Sequence, residues 1–236
     1  MPPKLVTLVR HGQAEHNVDE RYYLRDPYLT PLGEQQCMTL PARFPQEPAV
    51  DLLVTSPLKR TIQTTILGFP DPIAAGVPVL ALAELQETSE MPCDTGSDVS
   101  ILQADPMLKA TSKGAKVHVD FSRIPPDWPS KTGFWSPEPD ALRERARAVR
   151  KWLAERDEDH VVCVLHGGFL HYLTEDWTGS HDLPGTGWQN TEFRNYVFDP
   201  LEQLNLKETE ESKARRVAAP LGKTEMRQFM ESHTKN

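Results

Sequence analysis

The chain alternates short, nearly continuous apolar runs with longer segments whose apolar residues recur at helical spacing. Residues 5–9 (Leu-Val-Thr-Leu-Val), 51–56 (Asp-Leu-Leu-Val-Thr-Ser) and 161–165 (Val-Val-Cys-Val-Leu) are such runs. Their length and β-branched content suit strands buried on both faces. Thr30-Pro31-Leu32-Gly33 reads as a helix start, with Thr30 as N-cap and Pro31 in the first turn. A second helix is expected over 59–67. In the next helical segment Leu142, Ala146, Val149 and Leu153 fall on one face, opposite Arg143, Glu144, Arg147 and Arg150. A helix opens again at His166-Gly167-Gly168. The run 77–82 is a third strand candidate; Pro78 interrupts it, which suits a sheet edge better than its centre.

Strand and helix thus alternate, which predicts an α/β protein: a three-layer α/β/α arrangement with a mostly parallel central sheet and helices on both faces. One stretch breaks the rhythm. Ten of the 21 prolines lie between Pro70 and Pro139. Residues 88–137 are therefore expected to form an inserted, largely irregular cap, with one helix near 99–111. Phe121, Trp128, Phe134 and Trp135 give that cap apolar material, either for its own small core or for an apolar part of a ligand. Residues 1–200 are expected to be a single domain. Beyond residue 201 the pattern decays into a charged tail, 201–236, expected to be partly helical or disordered.

Composition narrows the function. The 236 residues are 38% hydrophobic and 25% charged, enough apolar material for a real core. Lys plus Arg total 26 against 34 for Asp plus Glu, a net charge of -8, which argues against a nucleic-acid partner. No run approaches the ~18 apolar residues that would span a bilayer, so no membrane association is expected. The first residues lack the long apolar stretch of a signal peptide. Cys37, Cys93 and Cys163 are an odd count without paired spacing, read as buried, reduced thiols. A cytoplasmic location is the expectation; the oligomeric state is open.

Chemistry gathers at the strand ends. Arg10 and His11 follow the first run, Ser56 and then Arg60 follow the second, and His166 follows the run 161–165. The third leads into Leu85-Gln86-Glu87. Ligands of open α/β sheets bind beyond the carboxyl ends of the strands. Imidazoles, guanidiniums and a carboxylate brought to one rim are costly unless they meet a partner. A dianionic phosphate would be one, since arginine forks match its oxygens.

The motifs Leu8-Val9-Arg10-His11-Gly12 with Asn17, Asp26 with Leu29-Thr30 and Gly33, Thr55-Ser56-Pro57-Leu58-Lys59-Arg60-Thr61, and Val164-Leu165-His166-Gly167-Gly168 resemble the signature of the histidine phosphatase superfamily, the phosphoglycerate-mutase-like fold. They run in the family's order over most of the chain, excluding the tail. The resemblance implies that His11 is a nucleophile forming a phosphohistidine, and that Arg10, Arg60, His166 and Asn17 surround the phosphoryl oxygens. It implies neither metal nor cofactor. His16 and His171 receive no role from it, and His11/His16 and His166/His171 lack the spacing of a helical zinc pair.

The family's proton donor is a Glu shortly after the third strand. Glu84 and Glu87 both fit that pattern, and Glu87 is preferred because Ala83-Glu84 fills the preceding connection. The resemblance further implies a small phosphate ester as substrate and inorganic phosphate as product. Phosphoglycerate mutases of the superfamily carry basic residues after this Glu. Here Thr88-Ser89-Glu90-Met91-Pro92-Cys93-Asp94 follows, acidic and proline-containing, which favours a phosphatase and disfavours a bisphosphate substrate. Two alternatives stand beside it: a mutase-type phosphoryl transferase, and a non-catalytic protein that binds a phosphate ligand.

Overall fold

A computed structural model describes residues 2–45, 47–109, 111–112, 114–177, 187–202 and 204–215. The chain runs β1 (Leu5–Arg10), α1 (Pro31–Arg43), β2 (Leu52–Thr55), α2 (Lys59–Gly68), α3 (Pro70–Ala74) and β3 (Val79–Ala81). It continues with α4 (Val99–Ala104), β4 (Thr111–Ser112), β5 (Ala115–Lys116), β6 (Val119–Asp120) and α5 (Pro139–Ala154). Then come β7 (His160–Leu165), α6 (Gly167–Thr174), β8 (Phe193–Phe198), β9 (Leu206–Glu208) and α7 (Glu210–Arg215). Seven strands form one sheet in the order β6-β3-β2-β7-β1-β8-β9, while β4 and β5 make a separate hairpin.

The first five strands of that order pair in parallel, and β8 and β9 pair antiparallel. Every residue of β2 and β7 is buried, as their apolar runs require. Helices α5 and α6 cover one face: Ala146, Val149, Leu153, Phe169 and Leu170 pack there on Val6, Leu8, Val54 and Cys163. On the other face Leu40 of α1 and Ile73 of α3 join Phe44, Phe69, Val9, Leu53 and Val164. The three layers anticipated from the sequence are present.

Local chemistry explains the element ends. Thr30 Oγ1 accepts the Gly33 N–H at 3.0 Å, capping α1 as its position suggests. Gly33 itself is fixed by packing: a Cβ there would lie 1.9 Å from the Gln13 carbonyl oxygen. That close approach of α1 holds the loop after β1 in place.

Four details differ from the sequence reading. Strand β3 is not at the edge, because β6 pairs along its outer side at Val79 and Leu80. Arg150 is not on the solvated face of α5; it is buried, with Nη1 donating to the Tyr172 and Leu173 carbonyls at the end of α6. The cap holds more order than expected, since Leu102, Leu108, Trp128 and Trp135 form a cluster with Leu58, Ile62 and Ile66 of α2. Phe121 and Phe134 pack against it, so the four aromatics belong to the core that joins the cap to α2. Finally, the chain past residue 201 joins the sheet through β9 and continues into α7. Residues 216–236 lie outside the described residues. Among the described residues no helix is long and apolar enough to cross a membrane.

Candidate active site

Parallel register brings three strand ends level. Arg10 pairs with Leu165 across β1 and β7, the His11 N–H donates to the Leu165 carbonyl at 3.0 Å, and the Ser56 N–H donates to the Val164 carbonyl at 3.0 Å. His11, Ser56 and His166 therefore leave the sheet side by side, beyond the carboxyl ends of β1, β2 and β7. The strand order reverses here, because β7 returns between β2 and β1.

His11 is buried and oriented by its own loop: Nδ1 lies 2.7 Å from the Gly12 carbonyl oxygen and so carries the proton. Its Nε2 is then an unprotonated acceptor, which receives the Arg60 Nε–H at 3.3 Å. Burial lowers the His11 pKa well below the ordinary value, and the Arg60 and Arg10 guanidiniums and His16 lower it further. The ring of His166 is 5.1 Å from that of His11, centroid to centroid. His166 Nε2 is 2.8 Å from Ser56 Oγ, and its buried Nδ1 has no hydrogen-bond partner among the described residues. Its pKa is likewise pushed well down, first by burial and then by Arg60.

Arg60, fully buried in the first turn of α2, reaches back across the site. Arg10 Nη1 donates to the Trp188 carbonyl. Gly167 matters to Arg10, since a Cβ there would stand 3.3 Å from its Nε. Asn17 is more local. Its Oδ1 accepts the Ala14 N–H at 2.9 Å and its Nδ2 is 3.2 Å from His16 Nε2. It approaches the site through His16, whose ring centroid is 6.0 Å from that of His11.

The two carboxylate candidates separate. Glu87 accepts the Phe169 N–H at 2.9 Å and the Gly168 N–H at 3.0 Å, at the start of the helix that follows His166. Glu84 has no such link to the strand ends; it lies within the field of Arg145, and its buried Oε2 has no hydrogen-bond partner among the described residues. Burial raises the Glu87 pKa, the negative charge of Asp94 adds to the rise, and the backbone N–H of Gly168 opposes it.

Sequence reasoning assigned no site role to three residues in this region. His16 is buried beside His11 and lowered in pKa by burial and the two arginines. Asp94 binds Arg60 Nη2 at 2.9 Å. Lys131 donates to Gln86 Oε1 at 2.8 Å, and burial brings its pKa down to about 8. His16 carried a signal as a histidine in the turn between His11 and Asn17, and Asp94 was read only as part of an acidic segment; nothing marked Lys131, or Asp94 as the partner of Arg60.

An open, mostly parallel sheet with histidines and arginines gathered beyond its strand ends is an α/β arrangement suited to an anionic ligand. The chain belongs to the histidine phosphatase superfamily (branch 1), whose family model matches residues 6–211. Among its relatives is a probable phosphatase of Schizosaccharomyces pombe, 28% identical over 169 residues covering 70% of this chain and 74% of that protein. A phosphoglycerate mutase-like protein of Arabidopsis thaliana is 32% identical over 213 residues, covering 72% of this chain and 73% of its own. Among solved structures, YhfR of Bacillus stearothermophilus superimposes with TM-score 0.56 at 17% identity, covering 88% of this chain and 96% of that one. The mycobacterial glucosyl-3-phosphoglycerate phosphatase Rv2419c gives 0.52 at 21%, covering 87% and 96%. These two establish likeness of fold. The chain is an enzyme of the histidine phosphatase class.

Proposed function

We propose that this protein hydrolyses small phosphate monoesters through a phosphohistidine on His11. The lone pair of His11 Nε2, given up by the Arg60 Nε–H as the phosphoryl group enters, attacks phosphorus as the bond to the ester oxygen breaks. Glu87, protonated at the outset, gives its proton to that leaving oxygen. Water then attacks the phosphohistidine, Glu87 takes the water's proton, and the P–N bond breaks to release inorganic phosphate and restore Nε2. Arg10 and Arg60 meet the charge on the three phosphoryl oxygens in flight. His166 joins them through Nδ1, with the Ser56 hydroxyl donating to its Nε2. Asn17 acts as a further neutral donor or as the prop of His16.

The observation that carries this reading is the tautomer of His11. Its Nδ1–H is spent on Gly12, Nε2 meets Arg60, and the ring of His166 lies alongside. Burial and the neighbouring Asp94 raise the Glu87 pKa, the direction a proton donor needs. Water is favoured over a second anionic acceptor because a carboxylate, Asp94, already stands on Arg60. In this reading residues 88–137 cap a single catalytic domain, and no metal is required because protein cations fill its role. A cytoplasmic site of action fits three free, buried thiols.

The test is trapping by rapid alkaline denaturation, which spares the acid-labile P–N bond, after mixing with an ester labelled in its phosphoryl group, with a substrate panel run alongside. Wild-type protein is expected to retain covalent label, and His11→Ala to retain none and to lose turnover. Label in the variant, or full turnover without His11, refutes the nucleophile. Activity confined to a mutase assay refutes hydrolysis. Tight ester binding with neither label nor turnover identifies a binding protein instead.

A further inference from the structure

Arg60 is held from three sides. Nε donates to His11 Nε2 at 3.3 Å, Nη1 to the Cys93 carbonyl at 2.6 Å, and Nη2 to Asp94 Oδ1 at 2.9 Å. A guanidinium has five N–H groups, so two remain for phosphoryl oxygens. Both acceptors other than His11 come from one short turn of the cap, residues 92–94. Asp94 is itself held, accepting from Ser89 Oγ on Oδ2 at 2.5 Å, and is only 6% exposed.

A carboxylate beside the place of a phosphate dianion weakens the attraction between that dianion and Arg60. A buried ion pair is also poor support for stability, because desolvation cancels much of its attraction. What the pair does supply is direction: a fork clamped at both Nη atoms presents its remaining N–H groups along one line. The same carboxylate lies within electrostatic range of Glu87, which is also faced by Arg60 from α2, Arg145 from α5, Tyr172 from α6, and Lys131 and Cys93 from the cap.

We propose that Asp94 is a positioning residue for the reaction: the cap carboxylate that clamps Arg60 against His11 and faces Glu87 across the pocket. The proposal rests on the phosphohistidine reading. It assigns the cap a part in the chemistry without contact to the reacting atoms. Arg60 is aimed through a hydrogen bond, and the proton on Glu87 is retained to higher pH by the neighbouring negative charge.

The experiment compares wild type, Asp94→Asn, Asp94→Glu and Ser89→Ala on phenyl phosphate across pH, with melting temperatures to confirm folding. Phenolate is a poor leaving group below its pKa of about 10, so this ester needs the acid. In Asp94→Asn, kcat/KM is expected to fall roughly tenfold from misdirection of Arg60. Its alkaline limb is expected to move about one unit to lower pH, because Glu87 loses its proton earlier. Asp94→Glu keeps the charge and displaces the clamp, so it should lose rate while holding the wild-type limb. Ser89→Ala should lower kcat several-fold and also leave the limb in place.

Unchanged rate and limb in Asp94→Asn overturn the proposal. Should that variant not fold, unchanged rates in both Asp94→Glu and Ser89→Ala overturn it. Failure of the underlying reading looks different: wild-type protein then shows no covalent phosphate and no turnover.

Discussion

Glu87 and Phe169 are 82 positions apart, yet the carboxylate of one accepts the backbone N–H of the other at 2.9 Å. With the Gly168 N–H at 3.0 Å, this places the acid candidate at the N-terminus of α6, one residue past His166. The helix end favours the ionised form, while burial and Asp94 favour the protonated one, and the net effect is a raised pKa. A group drawn both ways can give a proton and then take one, as a two-step hydrolysis demands.

That double duty predicts how Glu87→Gln fails. p-Nitrophenolate departs without an acid, so the first turnover on p-nitrophenyl phosphate should survive as a burst. Steady-state turnover should fall by roughly a hundredfold or more for want of the base. On phenyl phosphate the burst should vanish too. Glu84→Gln is expected to stay within a few-fold of wild type. Stopped-flow traces with both esters decide it, and the reversed pattern would move the role to Glu84.

Gly168→Ala tests the same placement without touching a titratable group. A Cβ there would come 2.6 Å from Glu87 Oε1 and 2.9 Å from Thr88 Oγ1. The side chains must yield, which displaces the carboxylate from its backbone donors. Turnover on phenyl phosphate is expected to drop about tenfold or more with the melting temperature little changed. A wild-type rate would show that the position of Glu87 is unimportant.

Arg60→Lys keeps the charge and removes the fork. A lysine cannot hold the Cys93 carbonyl, Asp94 and His11 together and still address two phosphoryl oxygens. The expected loss in kcat is on the order of a hundredfold, larger than the change in KM. Kinetics of the purified variant on phenyl phosphate provide the check; a change confined to KM would mean that Arg60 only binds.

Acid should destabilise the fold steeply. His11, His16 and His166 have folded pKa values well below the ordinary 6.5, with burial the first cause in each. The unfolded chain takes up their protons as pH falls through 6.5 and the folded chain does not, so stability present above that pH is lost below it. Each contributes a slope of about 1.4 kcal/mol per pH unit once its unfolded form is fully protonated. Glu87 and Asp26, both raised mainly by burial, act in the opposite direction at lower pH. Urea unfolding between pH 7.5 and 5.5 should show the midpoint falling, and a flat profile would contradict the burial of these rings.

Much of the site was legible because it is local. Arg10-His11, Ser56 and His166 each end an apolar run, and parallel pairing of buried strands brings such ends together. Thr30 announced the start of α1 by its chemistry alone. Asp94 and Lys131 were not legible, since their places depend on how an irregular, proline-rich cap folds over α2. Strand β9 escaped for another reason: Leu206 is its one apolar residue, and an edge strand needs only half the burial of a central one. Arg150 was misplaced because helical spacing records which face a residue is on, and not the carbonyls of α6 waiting there.

The position of β7 between β2 and β1 has a consequence for biosynthesis. While the first hundred residues emerge from the ribosome, the two strands bearing His11 and Ser56 lack the neighbour that sets them level. The level placement of His11 and Ser56 therefore depends on residues 160–165, so a chain cut short before them is expected to lack the assembled site.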